Sequence, residues 1–220
     1  MRLKTVKVKT AKNRKLGSSL WLNRQLNDPY VFQSKQDGYR SRAAYKLIEL
    51  NEKYRLIKPQ TKVIDLGAAP GGWSQVVANI LKSSGKIAAI DLLDMPEIQN
   101  VNFIQGDFCE PSTHETLKNI LGDKADLILS DMAPNTTGHK ATDHLRIMDL
   151  CERVFEFAKT ALKEGGSVVI KIFQGGAEPE ILNSIKKNFE IVKHHKPPAS
   201  RKDSSEMYLV AIGYKGTKDE

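Results

Sequence analysis

Apolar residues along the chain fall into two alternating patterns. Short runs rich in β-branched residues, of which Val63-Ile64-Asp65-Leu66 is the first, are typical of buried strands. Longer stretches with apolar residues at helical spacing lie between these runs. This alternation predicts an α/β fold in which helices wrap a mostly parallel sheet. The predicted strands are 62–66, 86–91, 101–105, 125–130 and 166–173, and the predicted helices lie near 71–83, 112–121, 143–163 and 178–188.

The C-terminal part of the chain departs from this alternation. Two apolar runs, 189–194 and 206–213, are separated only by the loop 196–205, which is too short for a helical crossover. These runs are therefore predicted to pair as antiparallel strands at the sheet edge, which gives a seven-stranded sheet with an antiparallel last strand. The loop between them is basic and polar, and we expect it to be exposed and functional.

The segment before the first strand predicts short helices. Residues 18–26 have an amphipathic pattern opened by serines, and Asp28-Pro29 ends it. Another helix is predicted from Ser41, and Lys46 lies on a different face from its apolar positions, which places it beside the ligand-binding edge of the sheet. The chain is thus predicted to have three parts: a flexible basic arm (1–17), a single domain (18–214) and a charged tail (215–220).

The turn after the first strand is rich in glycine. It reads Gly67-Ala68-Ala69-Pro70-Gly71-Gly72, followed by Trp73 and a helical pattern. A strand, a glycine loop and a helix start are the usual cradle for nucleotide-type cofactors in doubly wound folds, because glycines let the backbone approach the ligand closely. The loop matches neither the dinucleotide pattern G-x-G-x-x-G nor the phosphate loop G-x-x-x-x-G-K-[ST]. A nicotinamide-dependent dehydrogenase is therefore disfavoured.

Acidic residues stand at the ends of three successive predicted strands. Asp65 precedes the turn and could face an ammonium group. Asp91 follows about 20 residues later, where a ribose-binding acid is expected. Asp107 follows the next strand, where it could meet an adenine amino group. An amine, a ribose and an adenine without phosphate describe S-adenosylmethionine (SAM), which we expect to be the cofactor.

A second set of charged residues is predicted at the same edge. Asp131 ends the strand 125–130, and Glu206 opens the last strand. Lys171 lies within an apolar strand, where a charge is costly unless it is paired or functional. Because ligands bind beyond the carboxyl ends of the strands, we expect these three residues and Lys46 to converge beside the methyl group of SAM.

Positive charge is concentrated near the N-terminus. Residues 1–46 hold 12 Lys and Arg against two Asp, a net of +10, whereas the rest of the chain holds 22 basic and 24 acidic residues, a net of −2. Such a basic segment is the expected footprint of a polyanion partner. A solvated tail and an organellar transit peptide are alternatives, although transit peptides favour Arg and Ser over the Lys seen here.

Composition argues against several other classes. No apolar run approaches the ~20 residues of a membrane span, and no secretory segment opens the chain. Cys109 and Cys151 have no C-x-x-C spacing, and the five histidines have no metal-ligand spacing. We expect a cytoplasmic monomer without a metal ion or a membrane anchor.

Six short segments occur in a specific order, although each is weak alone. Through them the chain, from Trp21 to Tyr214, resembles the FtsJ/RlmE family of SAM-dependent RNA ribose 2′-O-methyltransferases. The segments are Ser41-Arg42-Ala43-Ala44-Tyr45-Lys46-Leu47, Asp65-Leu66-Gly67-Ala68-Ala69-Pro70-Gly71-Gly72-Trp73-Ser74-Gln75, Gln105-Gly106-Asp107-Phe108, Ser130-Asp131-Met132-Ala133-Pro134-Asn135, Val169-Ile170-Lys171-Ile172-Phe173-Gln174-Gly175 and Ser204-Ser205-Glu206-Met207-Tyr208.

The resemblance implies a fold, a site and a substrate. The fold is a Rossmann-like SAM-dependent methyltransferase fold over 18–214. The substrate is a uridine of large-subunit ribosomal RNA in the assembled subunit. The family's Lys-Asp-Lys-Glu tetrad corresponds to Lys46, Asp131, Lys171 and Glu206, and its cofactor contacts correspond to Gly71, Trp73, Asp91, Asp107 and Asp131.

Methyl transfer to a ribose hydroxyl requires the hydroxyl to lose its proton, and Lys171 is the candidate general base. Burial and the neighbouring cations, Lys46 and the sulfonium of SAM, would lower the pKa of Lys171, whereas Asp131 and Glu206 would raise it. If the acids prevail, Lys171 stays charged and orients the hydroxyl or stabilises the developing alkoxide.

Three other functions are alternatives, and a feature of the sequence argues against each of them. A methyltransferase acting on an amino nitrogen typically has Asn or Asp before Pro-Pro-aromatic, whereas this chain has Asp131-Met132-Ala133-Pro134. A cytosine-carbon methylase needs a cysteine nucleophile, and both cysteines fall outside this loop. A noncatalytic RNA-binding assembly factor would use the basic arm without needing the acids and lysines at the strand ends.

Overall fold

The structure, a computed structural model, describes residues 16–134, 137–175 and 179–216. Most of the predicted basic arm, residues 1–15, lies outside the described residues, as do Asn135 and residues 217–220 of the predicted tail. The first helix begins at Leu16, inside the predicted arm.

Seven helices and seven strands follow one another in the described part of the chain. They are α1 (Leu16–Asn27), α2 (Pro29–Gln36), α3 (Ala43–Tyr54), β1 (Lys62–Leu66), α4 (Gly72–Leu81), β2 (Lys86–Asp91), β3 (Asn102–Gln105), α5 (Pro111–Leu121), β4 (Ala125–Ser130), α6 (Lys140–Ala161), β5 (Leu162–Phe173), α7 (Pro179–Asn188), β6 (Phe189–His195) and β7 (Glu206–Tyr214).

The strands form one seven-stranded sheet in the order β3-β2-β1-β4-β5-β7-β6. Neighbouring strands from β3 to β5 are parallel, and β7 runs antiparallel to both β5 and β6. The predicted mostly parallel sheet with an antiparallel last strand is therefore confirmed. The strand order reverses between β1 and β4, so a crevice opens there beyond the carboxyl ends of the strands.

Helices bury both faces of the sheet. Over one face, α3 and α4 contribute Leu47, Leu50 and Val77 to a core that includes Val63 and Leu127 of the strands. Over the other face, α5, α6 and α7 form a second core with the residues of opposite parity on the same strands. Because helices cover both faces of the sheet, side chains on both sides of β1, β2 and β4 are buried. This explains why apolar residues run almost without interruption through these strands.

Helix α2 was not predicted, and β5 begins earlier than predicted. Asp28 ends α1 as expected but also starts α2, because its carboxylate accepts a hydrogen bond from the Tyr30 N–H at 3.0 Å and Pro29 occupies the first helical position. Strand β5 begins at Leu162 rather than at 166, and its pairing with β4 shifts register between Ala125 and Leu127. Residues 162 and 163, which were predicted to end a helix, are therefore part of the irregular start of β5.

Candidate active site

The glycine loop after β1 packs tightly against its neighbours. Gly67 has a φ of +76°, and a Cβ there would lie 2.6 Å from Met132 Cγ. Gly71, the N-cap of α4, has a φ of +105°, and a Cβ there would lie 2.6 Å from Ile98 Cδ1. Both positions require glycine, since a side chain would meet an unfavourable φ and a close neighbour together.

Arg40 stabilises the glycine loop through hydrogen bonds. Its guanidinium donates to the carbonyl oxygens of Pro96 at 2.6 Å, Glu97 at 2.7 Å and Pro70 at 3.4 Å. Its main-chain N–H donates to the side-chain oxygen of Gln75 on α4 at 2.7 Å. The structure therefore assigns this member of the basic N-terminal segment to the support of the loop.

A cleft of about 800 Å³ opens beyond the carboxyl ends of β1, β2, β3 and β4. Its size is within the ~300–1,000 Å³ typical of small-molecule sites. No lysine is among the described residues that line it. An acidic lining favours a cationic, hydroxyl-bearing ligand over one with phosphates. The charged residues of the lining are Asp91, Asp107, Asp131, Asp149 and Arg146.

The main chain orients two of these acids. The carboxylate of Asp91 accepts hydrogen bonds from the N–H groups of Ala69 and Leu93, each at 2.9 Å. The carboxylate of Asp107 accepts from the Cys109 N–H at 2.8 Å. Since a carboxylate has about four acceptor positions, both acids keep the capacity to accept hydrogen bonds from a ligand in the cleft.

Gly71 and Trp73 are not among the residues that line the cleft. Trp73 is 3% exposed, and its indole N–H donates to the Ala43 carbonyl at 2.8 Å. Its ring lies 5.5 Å from that of Tyr208. Trp73 thus joins α4 to α3 and β7, and its cofactor contact stays a prediction, as does that of Gly71.

Asp65 is fully buried at the end of β1, which corrects the expectation that it faces the cofactor. One carboxylate oxygen accepts a hydrogen bond from the Ser74 hydroxyl at 2.6 Å, and the other has no hydrogen-bond partner. Burial, with additional repulsion from Asp131 and Asp91, raises the pKa of Asp65 to about 7, against the opposing effect of Ser74. Asp65 is therefore largely neutral in slightly acidic solution.

This raised pKa predicts a pH-dependent stability difference for Asp65→Asn. An acid whose pKa is raised on folding destabilises the native state as the pH rises from its unfolded to its folded value. At ~1.4 kcal/mol per unit, the wild type should lose about 3 kcal/mol of unfolding free energy relative to Asp65→Asn between pH 5 and pH 8. Urea denaturation of both proteins at the two pH values measures this difference, and an equal difference at both values would contradict the assignment.

The four residues predicted to converge lie together, and we call them the tetrad: Lys46, Asp131, Lys171 and Glu206. Their place beside the methyl group of SAM stays a prediction. Each lies on or next to a different element, namely α3, the end of β4, β5 and β7. The antiparallel register of β5 and β7 pairs Lys171 with Tyr208 and Phe173 with Glu206. Sheet topology therefore gathers residues that are far apart in the sequence.

Asp131 and Glu206 each contact both lysines of the tetrad. The Asp131 carboxylate lies 2.8 Å from Lys171 Nζ and 3.9 Å from Lys46 Nζ. The Glu206 carboxylate lies 2.7 Å from Lys46 Nζ and 3.6 Å from Lys171 Nζ. Lys46 and Lys171 are only 6% and 8% exposed. Asp131 thus belongs both to this network and to the lining of the cleft.

In the tetrad, attraction between the opposite charges has a larger effect on the pKa values than desolvation has. Burial alone would lower the pKa of Lys171, but Asp131 and Glu206 raise it above its ordinary value. Burial alone would raise the pKa of Asp131, but Lys171 and Lys46 lower it. Lys171 is therefore positively charged in the protein without ligands, so the acids prevail over desolvation.

Tyr208 is a member of the site that sequence reasoning missed. Its hydroxyl donates to Asp131 Oδ1 at 2.5 Å, and Lys46 Nζ lies 5.8 Å from the centre of its ring. Burial, Asp131 and Glu206 raise the pKa of Tyr208 well above its ordinary value. The signal for Tyr208 was its spacing, since a strand residue two positions after Glu206 points to the same side of the sheet.

The loop 196–205 is less exposed than predicted. Pro197, Ala199 and Ser200 are buried. The Ala199 N–H donates to the Glu49 carboxylate at 2.7 Å, and its carbonyl accepts from the Arg42 guanidinium. Polar contacts with α3 and the residue before it thus fix the middle of this loop, which composition alone does not indicate.

No group of three or more His, Cys, Asp or Glu side chains among the described residues is arranged to hold a metal ion. No helix of 16–134, 137–175 and 179–216 is long and apolar enough to cross a membrane.

Comparison with known proteins gives consistent matches. A ribosomal RNA large subunit methyltransferase E of Rickettsia akari (strain Hartford) is 54% identical over 219 residues, which cover 97% of this chain and 96% of that protein. The protein of the same name from Rhodopseudomonas palustris (strain BisA53) is 54% identical over 214 residues, with 96% and 91% covered. A crystal structure described as a ribosomal RNA methyltransferase from Plasmodium falciparum superimposes with a TM-score of 0.74 at 36% identity, covering 81% of this chain and 100% of that chain.

A sequence model of the FtsJ-like methyltransferase family matches residues 39–214, a span that contains the glycine loop, the cleft and the whole tetrad. On this match, and on relatives that share more than half of their residues with it over nearly their full length, the chain belongs to the FtsJ-like methyltransferase family.

Proposed function

We propose that this protein transfers the methyl group of SAM to the ribose 2′-hydroxyl of a uridine in large-subunit ribosomal RNA, with the assembled subunit as substrate. The observation that carries the proposal is the Lys-Asp-Lys-Glu tetrad beside an acid-lined cleft, to whose lining Asp131 of the tetrad belongs. The names of the two bacterial relatives support the substrate class. A ribosomal substrate agrees with the expected cytoplasmic location.

The cleft fits SAM on the chemistry of its lining. SAM carries a sulfonium and an ammonium group, and the charged residues that line the cleft are four aspartates and one arginine. We propose that Asp91 binds the ribose hydroxyls, that Asp107 accepts a hydrogen bond from the adenine amino group and that Asp131 faces the methionine part. Trp73 would contribute its main-chain N–H at the start of α4, where a helix leaves such groups without intrahelical partners. Gly71, whose N–H donates to the Ala68 carbonyl at 2.7 Å, would instead let the backbone approach the ligand closely.

Bound SAM would supply a methyl group activated by its sulfonium. The tetrad would then hold the ribose hydroxyl in line with that group, since alignment of the reacting atoms can supply ~7–11 kcal/mol of the barrier. We propose Lys171 as the general base, with Lys46 and Asp131 fixing its position. Lys171 must lose a proton before it can act as a base. A cation bound in the cleft would lower the pKa of Lys171 and so favour the loss of this proton.

This role predicts a rate that rises with pH. Because the pKa of Lys171 is raised above its ordinary value of 10.5, the neutral fraction grows tenfold per pH unit between pH 7 and pH 9. The logarithm of kcat/KM, which reports groups of the free enzyme, should therefore rise with a slope of about one per pH unit over this interval. A flat profile would show that Lys171 acts in its charged form.

We propose that RNA approaches from the side of a basic cavity of about 300 Å³ beside the tetrad. Arg24, Arg42 and Arg201 line it together with Asp203, Ser204 and two residues of the tetrad, Lys46 and Glu206, so four cations face two acids. Guanidinium groups suit the bidentate binding of phosphates. The cavity thus extends the positive charge of the N-terminal segment to the reacting residues.

Methylation of a cytosine carbon is the alternative function that the environments of the two cysteines disfavour. Cys109 is exposed and lines the cleft, but partial desolvation of its thiol and the nearby Asp107 raise the pKa of that thiol. Cys151 is buried, and burial raises its pKa to about 12. A nucleophilic cysteine needs a lowered pKa, so neither thiol is suited to that chemistry.

The substrate is tested by methyl transfer from tritium-labelled SAM to unmethylated large subunits, naked large-subunit RNA and small subunits in parallel. Label should enter the large subunits fastest, and the small subunits serve as the specificity control. Equal labelling of both subunits, or no labelling at all, would contradict the proposed function, and faster labelling of naked RNA would contradict the assembled substrate.

A further inference from the structure

The segment 196–205 is held in place by side chains of the N-terminal helices. In addition to the contacts that Glu49 and Arg42 make with Ala199, the Arg201 guanidinium lies 3.1 Å from the Asp28 carboxylate. Asp28 also lies 2.8 Å from Arg42. These contacts leave Ser200, between Ala199 and Arg201, only 4% exposed.

The buried hydroxyl of Ser200 points at the tetrad. It donates to Glu206 Oε1 at 3.0 Å. The same oxygen lies 2.7 Å from Lys46 Nζ, whereas the other oxygen, Oε2, lies 3.6 Å from Lys171 Nζ. Two donors thus fix one oxygen of the carboxylate, and this fixes the direction of the other.

We propose that Ser200 is a positioning residue, whose hydroxyl holds the Glu206 carboxylate in the orientation that brings Oε2 to Lys171. The inference rests on the proposed function of the tetrad and adds a residue that acts through Glu206 rather than on the substrate. Without the hydroxyl, Glu206 keeps its pair with Lys46 but can rotate about it. Because hydrogen bonds to a buried carboxylate constrain geometry as well as charge, the loss should appear in the chemical step.

The expected result for Ser200→Ala is a kcat that is lower by about 10- to 100-fold, since displacement of a reacting group by ~1 Å can cost 10². The KM for large subunits should change less than twofold, because Ser200 is buried away from an approaching RNA. Ser205→Ala is the matched control, since it removes an exposed hydroxyl from the same segment, and its kcat should equal that of the wild type.

A double-mutant cycle with Glu206→Gln separates positioning from a general structural effect. If Ser200 acts through Glu206, the double variant should be no more than about twofold slower than Glu206→Gln alone, because coupled residues are not additive. Multiplicative losses in the cycle, an unchanged kcat for Ser200→Ala or an effect confined to KM would overturn the proposal.

A folding defect is measured separately by thermal unfolding. If Ser200→Ala unfolds, Ser200→Cys takes its place, since a thiol has nearly the same size but is a weak donor. It should also lower kcat with KM unchanged, and wild-type kcat would overturn the proposal. Failure of the wild type to methylate large subunits would count against the proposed function, whereas a fully active Ser200→Ala beside an active wild type would count only against Ser200.

Discussion

Lys171→Ala should lower methyl transfer about 10³-fold or more, which is within the range ascribed to general acid–base catalysis, while SAM still binds. Lys171 lies 2.8 Å from Asp131 and 3.6 Å from Glu206 and is 8% exposed, so no solvent base can take its place without rearrangement. Single-turnover transfer from labelled SAM measures the rate, and calorimetry measures the binding.

Two further variants make this prediction sharper. Lys171→Arg keeps the positive charge but cannot accept a proton, and it should be as inactive as Lys171→Ala if Lys171 is the base. Lys163→Ala removes a lysine from the other end of the same strand, where Lys163 pairs with Asp126, and should retain full activity. Turnover near the wild-type rate from Lys171→Ala would remove Lys171 from the mechanism.

Asp131→Asn should destabilise the protein as well as inactivate it. After this change Glu206 is the one carboxylate of the tetrad, and it has to compensate the charges of both Lys171 and Lys46. Breaking a buried charge network in this way costs about 3–5 kcal/mol, which corresponds to a fall in Tm of about 6–20 °C at ~2–4 °C per kcal/mol. Scanning calorimetry at pH 7 measures it.

The pH dependence of this loss has a defined sign. With Asp131 neutral, burial is opposed mainly by Glu206, so the pKa of Lys171 should fall. The uncompensated charge then disappears as the pH rises, and the destabilisation should be smaller at pH 10 than at pH 7. Asp123→Asn is the control, because its pair with Lys62 is at the surface, where solvent screens it, and its loss should leave the Tm nearly unchanged. A Tm for Asp131→Asn equal to that of this control would contradict the network.

The edge of the sheet that carries the site was predictable from the sequence. Parallel strands put their carboxyl ends at one edge, so Asp91, Asp107 and Asp131 had to lie near one another once the alternation of strands and helices was recognised. The same rule predicts that Lys171, near the carboxyl end of β5, lies at this edge. Glu206 joined them because the run 206–213 could only return antiparallel.

The details that decide chemistry depend on tertiary contacts and were not predictable. Asp65 has the same local pattern as Asp91, yet the packing of the glycine loop buries Asp65 completely and leaves Asp91 partly exposed. The charge of Lys171 depends on the balance of desolvation against two acids, and distances of 2.8 and 3.6 Å decide it.

Loop 196–205 and helix α2 show the same limit. A polar, proline-containing stretch indicates a loop, but its burial depends on Glu49 and Arg42, about 150 residues earlier in the chain. Helix α2 is only eight residues long, and its start is fixed by the Asp28 cap rather than by an apolar pattern. Sequence periodicity carries little information for an element of this length.

The measurement that tests the central claim most directly is the chemical position of the transferred methyl group. Large subunits labelled with tritiated SAM are extracted, and their RNA is hydrolysed in alkali, which cleaves a phosphodiester only where a free 2′-hydroxyl is present. The account predicts label in an alkali-resistant dinucleotide that starts with a 2′-O-methylated uridine, and no such label with Lys171→Ala. Label recovered in mononucleotides would place the methyl group on a base and contradict the account.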